Sequence, residues 1–306
     1  MATALTTTYA GEFSGKYISA ALLSASTLEN GLITILPNVK YKTVLQTGSY
    51  DDIVKAATCD YTSVGTLTLA EKVIQPEEFQ VNLTICKKDL TASWEAEQMG
   101  FSAFDNLAPS FADFVIAYTA AKVADKIENN IWAGQAADAD EFTGLYYLAA
   151  ADAGVVDVSG IAVTAANVVE EMGKLVDAIP EAVYGKEDLM LYVAPNVARA
   201  YVRALGGFGA QGLGANGIEG QGTTWFTNGA LSFDGISVVV AQGMPANSMI
   251  AAQKSNLFFA TGLLNDTNEV KVIDMADLDG SQNVRVVMRF TAAVALGISA
   301  DVVLYA

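Results

Sequence analysis

Alternation of apolar and polar positions is sharpest in two stretches of the chain. Phe79, Val81, Leu83 and Ile85 alternate with Gln80, Asn82, Thr84 and Cys86, and Val284, Val286, Met288 and Phe290 alternate with Arg285, Val287 and Arg289. A period of two puts each apolar set on one face of a β-strand. An earlier run, ITILPNVKYKTVLQTGSY at residues 33–50, also reads as extended, with Pro37 interrupting it and Gly48-Ser49 ending it. A shorter alternation, Thr66 to Leu69, lies between the two N-terminal runs. The simplest arrangement for residues 39–86 is therefore a long antiparallel ribbon with a wide tip. A two-stranded ribbon is marginal by itself in water, so its apolar face is expected to rest on a neighbouring element or a neighbouring subunit.

Helical periodicity is strongest over residues 110–133. Ile116, Ala120, Val123, Ile127 and Ile131 fall on one face, Phe111, Phe114 and Tyr118 form an adjoining stripe, and Lys122, Asp125 and Lys126 sit opposite. Ser110 with Asp113 resembles a capping box and Gly134 follows the last periodic position. A helix of about 24 residues is a rod of roughly 36 Å. A shorter helical pattern at 17–28 is stopped by Asn30-Gly31. Thr164 can cap a helix carrying Val168, Val169, Met172, Leu175 and Val176, which Pro180 ends, and Pro195 can open another carrying Val197, Tyr201 and Leu205. Short apolar runs at 189–193, 236–240, 257–260 and 270–273 read as strands, while residues 149–159 are a run of small residues. Eight glycines among residues 206–222 predict an irregular loop. The class is α+β.

Composition adds an assembly argument. The chain has 306 residues, with 17 Lys+Arg against 34 Asp+Glu, a net charge of −17. That sign opposes the counterion release that drives binding to a phosphate backbone, so nucleic acid is not an expected primary ligand. Average usage of about 25% charged residues would give about 76 here, yet there are 17 + 34 = 51, beside 52% apolar residues. A compact monomer of this mass exposes on the order of 12,000 Å²; a thin charged coat over such a surface implies that much of it is covered by other subunits, an obligate oligomer. The most apolar stretch, residues 290–300, is 11 residues between Arg289 and Asp301, too short to span a bilayer. The N-terminus has neither a basic nor an apolar signal-peptide region, and residues 1–36 carry only Glu12, Lys16 and Glu29 as charges, the composition of an arm that packs on protein.

Histidine is absent, which excludes a Ser-His-Asp triad, an imidazole base and any His-ligated zinc within this chain. Cys59 and Cys86 are too few for a disulfide framework or a four-thiolate metal site and read as structural. Gly207-Phe-Gly209-Ala-Gln-Gly212 matches G-x-G-x-x-G in letters, but the dinucleotide fingerprint needs a strand before it and a helix after it, and here a helix precedes. Asp274, Asp277 and Asp279-Gly280 hint at calcium, but the twelfth position from Asp277 is Met288, not a bidentate Glu. The carboxylate pairs Glu77-Glu78 and Glu170-Glu171 have nothing that sets them across a cleft and read as solvated. Asn82-Leu83-Thr84 is a formal glycosylation sequon, and Trp94, Trp132 and Trp225 are scattered without the interleaved basic residues of a single-strand binder. No catalytic residue, cofactor site or metal site is expected; the reading is of a protein that is not an enzyme.

The succession of apolar arm, long ribbon, long helix, compact α/β part with a Gly-rich loop and closing strands resembles the HK97-fold major capsid proteins of tailed bacteriophages. The matching pieces are LITILPNVKYKTVL, DKIENNIWAG at the end of the long helix, LMLYVAPNVARAYVRAL, FDGISVVVAQGMPANSMIAAQKSNLFFA and NVRVVMRFTAAVALGISADVVLYA. The resemblance implies an N-terminal arm at 1–38, an E-loop at 39–86, a peripheral (P) domain at 87–160 and 281–306 whose spine helix is about 110–133, and an axial (A) domain at 161–280. It also implies self-assembly into pentamers and hexamers of an icosahedral head around double-stranded DNA held without sequence-specific binding. Expected partners are scaffolding, portal and decoration proteins, with no membrane, in a virion assembled in the host cytoplasm. Some members cross-link an E-loop lysine to an asparagine; Lys40, Lys42, Lys55, Lys72 and Asn283 are the residues of those types here. An arm this short implies a separate scaffolding protein or a trimmed sequence. The alternative is an encapsulin-type nanocompartment shell of the same fold.

Overall fold

The computed structural model describes residues 26–39, 41–50, 54–57, 59, 61, 63–86, 109–138, 140–205, 231–262 and 271–306. The expected helix at 17–28 lies mostly outside them, and so does the Gly-rich loop. What is described begins with one helical turn, α1 (Ser26–Glu29), which Gly31 ends at φ +57°, the left-handed conformation that glycine adopts without strain.

Two sheets and a ribbon follow. The five-stranded sheet is organised around one long strand, β12 (Asn283–Leu296). It pairs antiparallel with β4 (Glu77–Cys86), with β11 (Lys271–Asp274) and with β10 (Leu257–Ala260), and β10 pairs parallel with β1 (Thr34–Leu36). Here the ribbon expectation needs correcting. The alternating run in β4 lies against the C-terminal strand from Cys86↔Asn283 to Glu77↔Ala292, not against the first extended run. Both sharply alternating stretches need the same thing, a core beneath one face, and pairing them gives it to both at once. Phe79 stacks on Phe290 at 5.6 Å between ring centroids, and Phe79 and Val81 pack against the main core. The ribbon is the shorter pair β2 (Thr43–Tyr50) and β3 (Leu67–Ile74), in register from Thr43↔Ile74 to Tyr50↔Leu67.

The six-stranded sheet has the order β5 (Val156–Val158), β13 (Val303–Tyr305), β9 (Met249–Gln253), β6 (Leu189–Val193), β8 (Ile236–Val240), β7 (Leu231–Phe233). Helix α4 (Val168–Asp177) packs on β9 and β13 and against α5 (Pro195–Leu205). Residues 156–158 and 303–305 thus lie in this sheet, while 257–260 and 271–274 lie in the sheet of β12. β5 and β13 are each three residues long, too short to show any period.

Between the sheets runs α2 (Pro109–Ala133), with Val123, Ile127 and Ile131 buried as their spacing predicts; the side chains of the Ser110–Asp113 cap lie outside the description. Towards its C-terminus the helix is buried on a second face too, at Glu128, Asn130 and Trp132: Thr27 of α1 bonds Glu128 and Trp132, the Asp140 carbonyl accepts from Asn130, and the Tyr192 ring packs on Trp132. Gly243 brings a loop against the Glu128 carbonyl so closely that any Cβ there would collide with backbone. Helices α3 (Leu145–Ala151) and α6 (Ala276–Asp279) complete the framework.

Candidate functional site

The ribbon is where the fold leaves chemistry facing outwards. Directly opposed residues of an antiparallel pair share a face, so Val44 with Val73, Gln46 with Glu71, and Gly48 with Leu69 line one side and Leu45 with Lys72 lines the other. The first side is in water: Leu69 is 68% exposed, Val73 57%, Leu67 48% and Val44 45%. Gly48, lacking a side chain, lets Leu69 and Leu67 lie across it. Tyr41, Val54, Tyr61 and Val64 in the same region are also exposed. Isolated exposed apolar residues are ordinary, but here two apolar groups, Val44 with Val73 and Leu67 with Leu69, share one face on either side of the Gln46–Glu71 pair, a grouping that marks a contact surface.

The opposite side is fastened to the body. Ile74 and Val39 are buried with Ala260 and Ala293, and Leu45 packs against that cluster. Lys72 Nζ lies 3.0 Å from Asp152 Oδ2 and also donates to Ser299 Oγ. Asp152 is held down to about 2 by the Ser299 hydroxyl, the Gly154 N–H and the Lys72 ammonium. The root of the ribbon is thereby fixed in direction while its outer face stays bare.

A second anchor holds the chain just before the ribbon. The Thr27 N–H donates to Glu128 Oε2 at 3.0 Å and the Thr27 hydroxyl to Oε1 at 2.6 Å, while Trp132 Nε1–H donates to Thr27 Oγ1 at 2.9 Å. All three residues are fully buried. Burial pushes the Glu128 carboxyl up, the hydrogen bonds from Thr27 opposing it. Downstream, the Tyr192 hydroxyl donates to the Leu32 carbonyl at 2.6 Å. Nothing in the local pattern around Thr27 or Glu128 signalled this; only a buried acid on a helix face otherwise read as solvated could have hinted at it.

The remaining candidates disperse. Glu77 and Glu78 are exposed at the start of β4. Glu170 is exposed, but Glu171 corrects the expectation of a solvated pair: it is buried, accepting from the Tyr305 hydroxyl at 2.7 Å and from Lys174 at 2.8 Å. The Lys174 ammonium, then the Tyr305 hydroxyl, hold its carboxyl below the usual range, a structural arrangement at the chain's C-terminal strand. Asp274 caps the Ala276 N–H and Asp279 the Ser281 N–H, and among the described residues no group of three metal-ligating side chains comes together. Cys59 is exposed and Cys86 half-buried, both free thiols, so a packing role does not describe Cys59. Trp132 is a core residue; Trp94, Trp225, Asp277's side chain and the G-x-G-x-x-G at 207–212 lie outside the description. Lys72 is engaged with Asp152, Lys42 lies over the Tyr41 ring, and Asn283 opposes Cys86 in the ladder; these do not form one site. No described helix is long and apolar enough to cross a membrane. A cleft of about 670 Å³ lies beside the β4–β12 pair, lined by Glu78, Gln80, Asp140, Arg289 and Thr291 with Phe79 and Phe290, a mixed-charge surface without the convergent groups of a catalytic site.

No family model and no curated protein sequence matches the chain. Solved structures do. The capsid of the native GTA particle is 15% identical with a TM-score of 0.66, covering 97% of this chain and 94% of the other. The capsid of Myoviridae phage XM1 is 12% identical with a TM-score of 0.64, covering 96% of each chain. A Mycobacterium phage Adephagia structure is 17% identical with a TM-score of 0.60, covering 97% and 94%. At such identities the likeness is one of fold, and it runs through almost the whole chain: this is the α+β fold of phage capsid subunits.

Proposed function

We propose that the chain is the major capsid protein of a tailed bacteriophage, a subunit that assembles with its own copies into a closed icosahedral head around double-stranded DNA. The observation that carries this reading is the bare apolar face of a ribbon whose root is rigidly held, in a chain with a capsid fold from end to end. In this reading the ribbon of β2 and β3 is the E-loop, the chain before α1 is the arm, α2 is the spine helix of a P domain built with β4, β11 and β12, and the six-stranded sheet is the core of the A domain. Arm and ribbon lie over neighbouring subunits, and each apolar contact contributes roughly 25 cal/mol per Å² removed from water. Summed over a pentamer or hexamer and then over a shell, such modest contacts close a particle able to hold its genome. The chain's charge of −17 disfavours tight adsorption of DNA to the wall. Scaffolding, portal and decoration proteins are the accessory partners such a shell uses.

The test is assembly itself. Purified protein, concentrated under assembly conditions with and without a scaffolding protein, is expected to give closed particles in negative-stain micrographs and a light-scattering mass many times 32.1 kDa. A species that stays monomeric or dimeric under all these conditions overturns the proposal.

A further inference from the structure

One edge of β4 in the β12 sheet has no partner strand among the described residues. β4 is ten residues long, pairs with β12 without interruption and, among the described residues, pairs with no other strand. Long edge strands present a row of backbone donors and acceptors, and proteins blunt them with charges, proline or bulges. β4 carries charge only at its start, in Glu77 and Glu78; from Phe79 to Cys86 the sequence is FQVNLTIC, without charge or proline, and the register with β12 is continuous. Leu83, in the row that faces the core, is still 37% exposed. Such an edge on an isolated subunit invites pairing with another strand.

We propose that β4 pairs antiparallel with β4 of a second copy, about a two-fold axis that passes through Asn82 normal to the sheet. This rests on the shell reading and names one of its subunit contacts. Antiparallel self-pairing about such an axis must set one residue opposite itself, and for a strand running from Glu77 to Cys86 the central choices are Val81 and Asn82. An axis through Val81 puts the Glu77 carboxylate opposite Ile85. An axis through Asn82 pairs Phe79 with Ile85 and Val81 with Leu83 on the core-facing row, and Gln80 with Thr84 and Asn82 with Asn82 on the outer row. Like meets like in polarity over these pairs, the arrangement that stabilises cross-strand pairs; the one mismatch sets Glu78 opposite Cys86, which is half-buried, whereas the Val81 axis sets a glutamate against the buried Ile85. Charge points the same way: the strand opens with Glu77 and Glu78, which parallel in-register pairing would set against their own copies and antiparallel pairing keeps apart. The two subunits' sheets then continue into one.

The test places a cysteine on the axis. In a Cys59→Ser, Cys86→Ser background, Asn82→Cys is expected to give a disulfide-linked dimer on a non-reducing gel after oxidation of assembled particles, because opposed residues of an antiparallel pair bring their Cα atoms to about 4.5–5.5 Å, within disulfide reach. Thr84→Cys is expected to give none, since four residues along two strands separate it from its copy by roughly 13 Å. In unmodified protein, amide hydrogen exchange of residues 77–86 is expected to slow about tenfold or more on assembly. Closed particles with no Asn82 dimer and unchanged exchange over 77–86 overturn the pairing and leave the shell reading standing. Unmodified protein that forms neither particles nor any self-associated species overturns both.

Discussion

The six-stranded sheet and the ribbon use the same residue types in opposite ways. In the sheet, every residue of β9 is buried, and Leu191, Tyr192 and Val193 of β6 are wholly inaccessible; each apolar face meets another within the same chain. In the ribbon, Val44, Leu67, Leu69 and Val73 face water across two strands that have no sheet to join. One region is complete as a monomer; the other, in the proposed reading, is half of a contact. The lesson is that exposed apolar surface is informative where the fold has gone to the trouble of anchoring its far side: Ile74, Lys72 and Asp152 hold the root so that the free face is presented in a set direction.

The sharpest way to break this contrast is to damage each region and ask which property fails. Trp132→Ala removes a fully buried ring that packs on Tyr192 at 5.1 Å between centroids. It is expected to cost about 3–5 kcal/mol, a large part of a domain's stability, read as a lowered denaturant midpoint of the unassembled subunit. Leu69→Lys should do the reverse: subunit stability within about 0.5 kcal/mol of the parent, but particles lost from micrographs. A large fall in subunit stability from Leu69→Lys would show that the ribbon face is covered by its own chain.

Smaller effects test the anchors. Thr27→Val leaves the Trp132 N–H and Glu128 Oε1 without their partner while the backbone N–H still serves Oε2, and is expected to destabilise by about 1–3 kcal/mol, with faster amide exchange over residues 26–33. Glu128 itself should show a pH signature. Its folded-state pKa is raised, so its contribution is fully present below the ordinary carboxylate pKa and lost as pH rises through the raised value; Glu128→Gln should flatten that part of the stability–pH curve. Asp152 has the opposite sign. Its pKa falls from 3.8 to about 2, so its contribution is present above the ordinary value and lost as pH falls through that interval. With the pair about one-third exposed, solvent screening limits the effect of Asp152→Asn to about 1 kcal/mol, read as loosened exchange over residues 67–74.

Much of the fold was legible where one period dominates. The 25-residue helix α2, strand β6 and helix α5 follow from apolar spacing with proline or glycine at their ends. What resisted was non-local or too short. β9, Met-Ile-Ala-Ala-Gln, is covered on both faces and so shows no alternation; α3, Leu-Tyr-Tyr-Leu-Ala-Ala-Ala, blends into a run of small residues. The pairing of β4 with β12 joins positions some 200 residues apart, and register between distant strands is set by a shared core that no local window contains. The sharp alternation at 79–86 was read into the ribbon but belongs to β4, paired with β12; the strand that does pair with β2, β3, carried only the faint signal of Thr66 to Leu69. The Thr27–Glu128–Trp132 anchor was invisible for the same reason as the strand register: its members are scattered and individually ordinary.

The claim on which everything depends is that the bare face of the ribbon is covered by another copy of the chain. A cryo-electron-microscopy map of assembled particles tests it directly. The account predicts a closed shell in which Val44, Leu67, Leu69 and Val73 are packed against a neighbouring subunit; a closed shell in which that face still points into solvent would contradict it.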